Sequence, residues 1–170
     1  ILSGLVGSEM CIRDRANSGA APRLAADAPS ADSDGKKANV VGISVMLVED
    51  DVLIRMNTAE LLKEMGHLVV EAGSAEEATT ALQTMPVKVL VTDVNLPGIS
   101  GPDLARRALE LRPDLGIVFA TGDRHVDGIE AFDPARTTIL SKPYDMRGLE
   151  RAISGVFAGV AAQASPAQRT

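Results

Sequence analysis

A chain of 170 residues carrying a net charge of −6 has room for one domain plus tails, and its acidity argues against direct binding of nucleic acid by bulk electrostatics. Aromatic residues make up 2% and Trp is absent, so a core must come from Leu, Val, Ile, Ala and Met. The single cysteine, Cys11, excludes an internal disulfide, which fits a cytoplasmic protein, and no apolar run approaches the roughly 20 residues that membrane insertion as a helix requires.

Residues 1–15 have no usable periodicity; the run at 3–15 resembles translated sequencing-adapter sequence and is given no function. With Ile1 in first place, the start is read as a fragment edge. Residues 1–7 are apolar but too short for the core of a secretory signal. Residues 16–39 are rich in Ala, Pro, Ser, Asp and Gly, the composition of a flexible linker. The expected organisation is therefore a leader and linker at 1–39, a folded domain at 40–160 and a polar tail at 161–170.

The period of the apolar pattern changes along the folded part. Residues 43–48 read as a strand closed by Glu49, Asp50 and Asp51. Ile54, Thr58, Leu61 and Met65 then fall on one helical face, and Gly66 is a fitting C-terminal stop. Residues 67–72 read as a second strand. Ser74 and Glu77 make a capping box for a helix whose stripe is Ala78, Leu82 and Met85, and Pro86 prevents its continuation.

Residues 87–91 form a nearly continuous β-branched run, the pattern of a strand buried on both faces, and lead to Asp93 and a turn with Pro97, Gly98 and Gly101. Pro102 suits the first turn of a helix with Leu104, Ala108 and Leu111 facing inward, ended by Arg112 and Pro113. Residues 115–120 are a fourth strand. Gly122, Gly128 and Pro134 interrupt the next stretch, leaving at most a short, weak helix around Val126 and Ile129. Residues 137–141 are a fifth strand before Lys142 and Pro143. Leu149, Ile153, Val156 and Val160 make the last helix amphipathic.

Strands and helices that alternate in this way require crossovers, hence an α/β fold: a parallel sheet with helices on both faces. Glu49 and Asp50, Asp93, Thr121 and Lys142 then all stand at carboxyl ends of strands, on the rim where such sheets bind ligands. Each has a plainer use. Asp93 suits a local side-chain turn, Thr121 before Gly122 ordinary turn chemistry, Lys142 a surface position, and Asp51 a helix N-terminus.

Taken together they do more. Carboxylates on neighbouring strands about 5 Å apart repel, and one is driven toward its protonated form unless a cation sits between them. Oxygen-only ligands suit Mg²⁺ better than zinc. A carboxylate can act as a nucleophile, and phosphoryl transfer mainly needs positioning and charge neutralisation. His67 and His125 are read as surface residues, and Tyr144 as packed at the start of the last helix.

The runs Val-Glu-Asp-Asp at 48–51, Thr-Asp-Val-Asn-Leu-Pro-Gly-Ile-Ser-Gly at 92–101, Phe-Ala-Thr-Gly at 119–122 and Ser-Lys-Pro-Tyr at 141–144 together resemble the receiver domain of two-component response regulators. The resemblance implies a flavodoxin-like, doubly wound sheet of five parallel strands in the order 2-1-3-4-5. It implies that Asp93 takes a phosphoryl group from a histidine kinase or phosphotransfer protein. Mg²⁺ would be held by Glu49, Asp50, Asp93 and the backbone carbonyl of Asn95. Thr121 and Lys142 would contact phosphoryl oxygens, and Asn95, Gly122 and Asp123 would modulate loss of the group. The bond before Pro143 is often cis in that family. One departure stands out: Ile139 occupies the position of the family's rotating aromatic, so signalling is expected to use the weak fourth-helix region instead.

Two other classes compete. A pseudo-receiver would use the fold only to dock a partner, against which the intact acids, Thr121 and Lys142 count. A nucleotide-binding enzyme would need a Gly-rich loop after the first strand, and none is there; a metal-dependent phosphohydrolase is the remaining enzymatic alternative. Whether the chain acts alone or ends a hybrid kinase is left open.

Overall fold

The computed structural model describes residues 42–123 and 126–164. Five strands, β1 (Ser44–Val48), β2 (Leu68–Ala72), β3 (Val89–Asp93), β4 (Gly116–Thr121) and β5 (Thr137–Ser141), form one parallel sheet in the order β2-β1-β3-β4-β5. Four helices connect or follow them: α1 (Val52–Glu64), α2 (Ala75–Thr84), α3 (Gly101–Leu111) and α4 (Met146–Ala164). The expected doubly wound sheet and its strand order are both present.

Alternation along each strand divides the core in two. Met46 and Val48 of β1, Leu90 of β3 and Phe119 of β4 point to the layer formed by α2 and α3. Val45 and Leu47, Val89 and Val91, and Leu140 of β5 point to the layer formed by α1 and α4. Both layers are apolar, so the central strands β1, β3 and β4 read as nearly continuous apolar runs rather than as an alternating pattern. Each fully buried Leu, Val or Phe adds about 1.5–3 kcal/mol of hydrophobic stabilisation, and strands and helices both supply them.

Caps decide where the helices begin and end. The Asp51 side chain accepts from the amides of Leu53 and Ile54, opening α1. Gly66, at φ 86°, turns the chain out of α1. Ser74 accepts from the Glu77 amide, and Glu77 reaches back to the amide of Gly73, completing the capping box one residue early. Ser100 caps α3, with Pro102 in its first turn.

Several expectations need correction. In α1 the buried residues are Thr58, Ala59 and Leu62; Leu61 and Met65 are half-buried, and Ile54 is exposed. A helix turns 100° per residue, and the small Ala59 lets the stripe centre one position round from the expected line. Met85 and Leu111 are exposed rather than inward, because each stands at a helix end where the chain departs. Met85 is already extended, as a residue before proline tends to be. The inward face of α3 is Leu104, Ala105 and Ala108.

Among its described residues the fourth connection holds no α-helix, only a 3₁₀ turn at Ile129–Ala131 between Gly128, at φ 75°, and Pro134. Its anchors are Val126 and Phe132, both buried, with the Phe132 ring edge-on to Phe119 at 5.3 Å and Arg106 over its face at 5.7 Å. The last helix runs to Ala164, four residues into the expected tail, and Gln163 there donates to Asp133 at 2.6 Å. The leader and linker at 1–39, and His125, lie outside the described residues.

His67 is buried, not exposed: Gly66 folds the chain back, the His67 amide bonds the Leu62 carbonyl at 3.0 Å, and the ring goes inward. Its Nδ1 has no hydrogen-bond partner among the described residues. Burial pushes its pKa below the ordinary 6.5, partly opposed by the charge of Glu150. The unfolded chain therefore binds a proton at a pH where the folded chain does not, and stability is lost as pH falls below about 6.5. His67→Leu should flatten the fall in melting temperature between about pH 6.5 and pH 5.5; thermal melts of both proteins across that range check this.

Candidate functional site

Pairing register lines up the rim. Val48 is level with Thr92, so the next residues, Glu49 and Asp93, stand side by side past the end of the β1–β3 ladder. Thr121 is level with Ser141, and the Lys142 amide bonds the Thr121 carbonyl at 2.7 Å. Alternation then sorts the side chains. Glu49, Asp93 and Lys142 continue the parity of Leu47, Val91 and Leu140, all directed to the α1 and α4 side. Thr121 continues that of Ile117 and Phe119, directed to the other side.

The contacts follow that division. Lys142 Nζ donates to Glu49 Oε2 at 2.7 Å and to Asp93 Oδ2 at 3.1 Å. The Glu49 side chain is 4% exposed, that of Asp93 13% and that of Lys142 20%. Thr121 is fully buried, and its hydroxyl accepts from the Asp123 amide at 3.0 Å, which is the turn use as well. Asp93 also serves both purposes: Oδ1 accepts from the Asn95 amide at 3.3 Å while Oδ2 faces Lys142. Asp51 is only the helix cap. Asn95, Gly122 and Asp123 are exposed around the rim.

Glu49, Asp50 and Asp93 each offer an oxygen within 4.8 Å of the others, grading from buried Glu49 through half-buried Asp93 to exposed Asp50. An all-oxygen set open to water on one side fits a hydrated hard cation such as Mg²⁺ and lacks the soft or imidazole donors zinc prefers. Burial raises the Glu49 carboxyl above its ordinary 4.5; Lys142 pulls it back, and the charges of Asp93 and Asp50 push it up again. Burial alone would lower Lys142, but its bonds to Glu49 and Asp93 outweigh that and hold it above 10.5.

The site lies where the strand order reverses, between β1 and β3, the topological switch point of such sheets. A family model for the response regulator receiver domain matches residues 45–154. The chain belongs to this family.

The receiver is 36% identical over 106 residues to the response regulator receiver protein CpdR of Brucella abortus, covering 62% of this chain and 88% of that protein. It is 32% identical over 142 residues to the sensor kinase CckA of the same organism, covering 75% of this chain but only 15% of CckA. A crystal structure of the receiver domain of the hybrid histidine kinase CckA superposes with a TM-score of 0.57 at 29% identity, covering 66% of this chain and 98% of that one. A CheY-like receiver from Methanospirillum hungatei shares the fold, with a TM-score of 0.65 at 22% identity, covering 72% of this chain and 98% of that one. Among the described residues of this receiver, no helix is long and apolar enough to cross a membrane.

Arg55 escaped the sequence reading, as did the partnership of Thr58 with Tyr144. Arg55 donates to the carbonyl of Glu49 and, at 3.4 Å, to that of Asp50. A cation in the first turns of a helix, where the dipole disfavours it, was the available signal. Thr58 and Tyr144 share a hydrogen bond of 2.9 Å between their hydroxyls, tying the loop after Lys142 to α1; burial raises the Tyr144 pKa, against the Thr58 bond. The peptide between Lys142 and Pro143 is cis. Gly101 packs so closely that a Cβ would lie 2.2 Å from the Asp93 carbonyl oxygen.

Gly101→Ala should therefore cost about 1–3 kcal/mol, the range for overpacking, by forcing the Asp93–Val94 backbone outward. Urea denaturation of the variant against the unaltered receiver measures it; an unchanged midpoint would contradict the packing argument.

Proposed function

We propose that this receiver takes a phosphoryl group onto Asp93 from a phosphohistidine of a histidine kinase or phosphotransfer protein, with Mg²⁺ held by Glu49, Asp50, Asp93 and the Asn95 carbonyl. The observation that carries the reading is the meeting of Asp93 with Lys142 and two further carboxylates at one rim. An Asp93 carboxylate oxygen attacks phosphorus, the phosphorus–nitrogen bond breaks, and its electron pair returns to the imidazole. Bound Mg²⁺ would neutralise charge on the transferred group. Lys142 turns from its bond with Asp93 to a phosphoryl oxygen, a cation already oriented by its second bond to Glu49. The Thr121 hydroxyl would take a further oxygen, and Asn95, Gly122 and Asp123 would set how readily water reaches the product.

The output surface in this reading is the connection from β4 to β5. Ile139 cannot supply the aromatic movement, whereas Phe132 lies in contact with Phe119, two residues before Thr121. A shift of Thr121 would thus reach a loop pinned by one ring and one guanidinium.

Acetyl phosphate with Mg²⁺ should label the unaltered receiver, and Asp93→Asn should abolish the label, as read by intact-mass or phosphate-affinity gel. Full labelling of the variant, or no labelling of the unaltered receiver by either a small donor or a kinase, would overturn the assignment and leave a docking module.

Mg²⁺ affinity should weaken on acidification at a pH above 4.5, because the raised Glu49 carboxyl takes up its proton earlier than an ordinary glutamate. Calorimetric Mg²⁺ titrations at stepped pH check the sign.

A further inference from the structure

We propose that Arg55 is a positioning residue for the divalent cation: a clamp on the backbone of Glu49 and Asp50 that sets the spacing of their carboxylates. The inference rests on reading the rim as a metal site. It deepens that reading by naming what holds two of the metal's ligands in place.

One guanidinium nitrogen, Nη1, donates to the carbonyls of both Glu49 and Asp50. The Glu49 amide is tied in turn to the Ala72 carbonyl at 3.2 Å, at the end of β2. Both backbone groups of Glu49 are therefore bonded, and Lys142 holds its carboxylate. On the other side Asp51 is locked by the cap of α1. Asp50, exposed and otherwise the freest of the three acids, is thus tethered on either side by Arg55 and Asp51.

The guanidinium has its own seat. A Cβ on Gly73 would stand 3.2 Å from Nη1 and 3.6 Å from Cζ, so the absence of a side chain there leaves room for Arg55. Glu77 closes that seat by accepting the Gly73 amide at 2.7 Å. The clamp thereby joins the end of β1, the end of β2 and the start of α2.

A positive charge beside an acidic rim has an alternative use, which is to offset repulsion among the acids. The two uses predict opposite signs. A cation near a cation site weakens metal binding by Coulomb's law, so removing its charge alone would tighten Mg²⁺ or leave it unchanged. Removing a clamp on the ligands loosens binding, and outer-shell supports of this kind typically contribute at least about tenfold in affinity.

Manganese titration followed by electron paramagnetic resonance, on the full chain, reads this without phosphorylation. Arg55→Gln should raise the Mn²⁺ dissociation constant by about tenfold, and Arg55→Lys, which keeps the charge but does not carry a donor out to the Nη1 position, should raise it by about threefold or more. Thermal melts set the assay temperature well below unfolding, so lost affinity reports the site rather than the fold. If Arg55→Gln fails to fold, Arg55→Lys decides. Binding by either folded variant as tight as that of the unaltered chain, or tighter, would overturn the clamp. Failure of the unaltered chain itself to bind Mn²⁺ would instead overturn the metal reading, and the clamp with it.

Discussion

Three carboxylates crowded on one sheet rim are stable only with a counter-charge among them, and here that charge is the Lys142 ammonium. Glu49 is the demanding member. A carboxylate 4% exposed cannot rely on water, and removing one partner from such a pair costs about 3–5 kcal/mol. The exposed pairs Lys63–Glu71 and Lys88–Asp114 are different in kind, contributing about 0–1 kcal/mol each. The rim pair therefore constrains the fold, since Lys142 comes from the edge strand and Glu49 from the second strand of the sheet. A one-residue slip of β5 would turn Lys142 to the opposite face and leave Glu49 uncompensated.

The same parity separates Thr121 from the ion pairs. Its hydroxyl lies inside, toward the α2 and α3 layer, next in line after Phe119. On that side the described residues of the fourth connection form no α-helix over β4 and β5. Val126 and Phe132 fill the space instead, with Arg106 of α3 laid across the ring. Thr121 and the segment anchored by Phe132 are thus linked through Phe119.

On the opposite side the rim is braced. Tyr144, after the cis bond at Pro143, shares its hydroxyl with Thr58 in the middle of α1, and Arg55 one turn earlier holds the loop that carries Glu49 and Asp50. Helix α1 therefore supports both the acids and the lysine that offsets them. The receiver's two layers differ in this respect: one braces the charged groups, and the other buries Thr121 beside Phe119, Val126 and Phe132.

The elements and their order were legible because local chemistry decides them. Asp51, Ser74 with Glu77, Ser100 with Pro102, and Gly66 start and stop helices through bonds made within a few residues, and β-branched runs mark strands buried on both faces. The rim residues were legible for a similar reason: each sits where a strand ends, and strand ends of a parallel sheet share one edge. What only the tertiary structure decided is everything that depends on which way a side chain points after the chain has crossed the sheet. His67 looked like a surface histidine until the turn at Gly66 carried it inward, and the α1 stripe depended on how closely Ala59 let the helix approach. Phe132 and Arg55 belong here too, because their partners are Phe119 and the Glu49 and Asp50 carbonyls, which no local spacing connects to them. Short-range hydrogen bonds and periodicity are written in the order of residues; register, parity and burial arise only when distant strands pair.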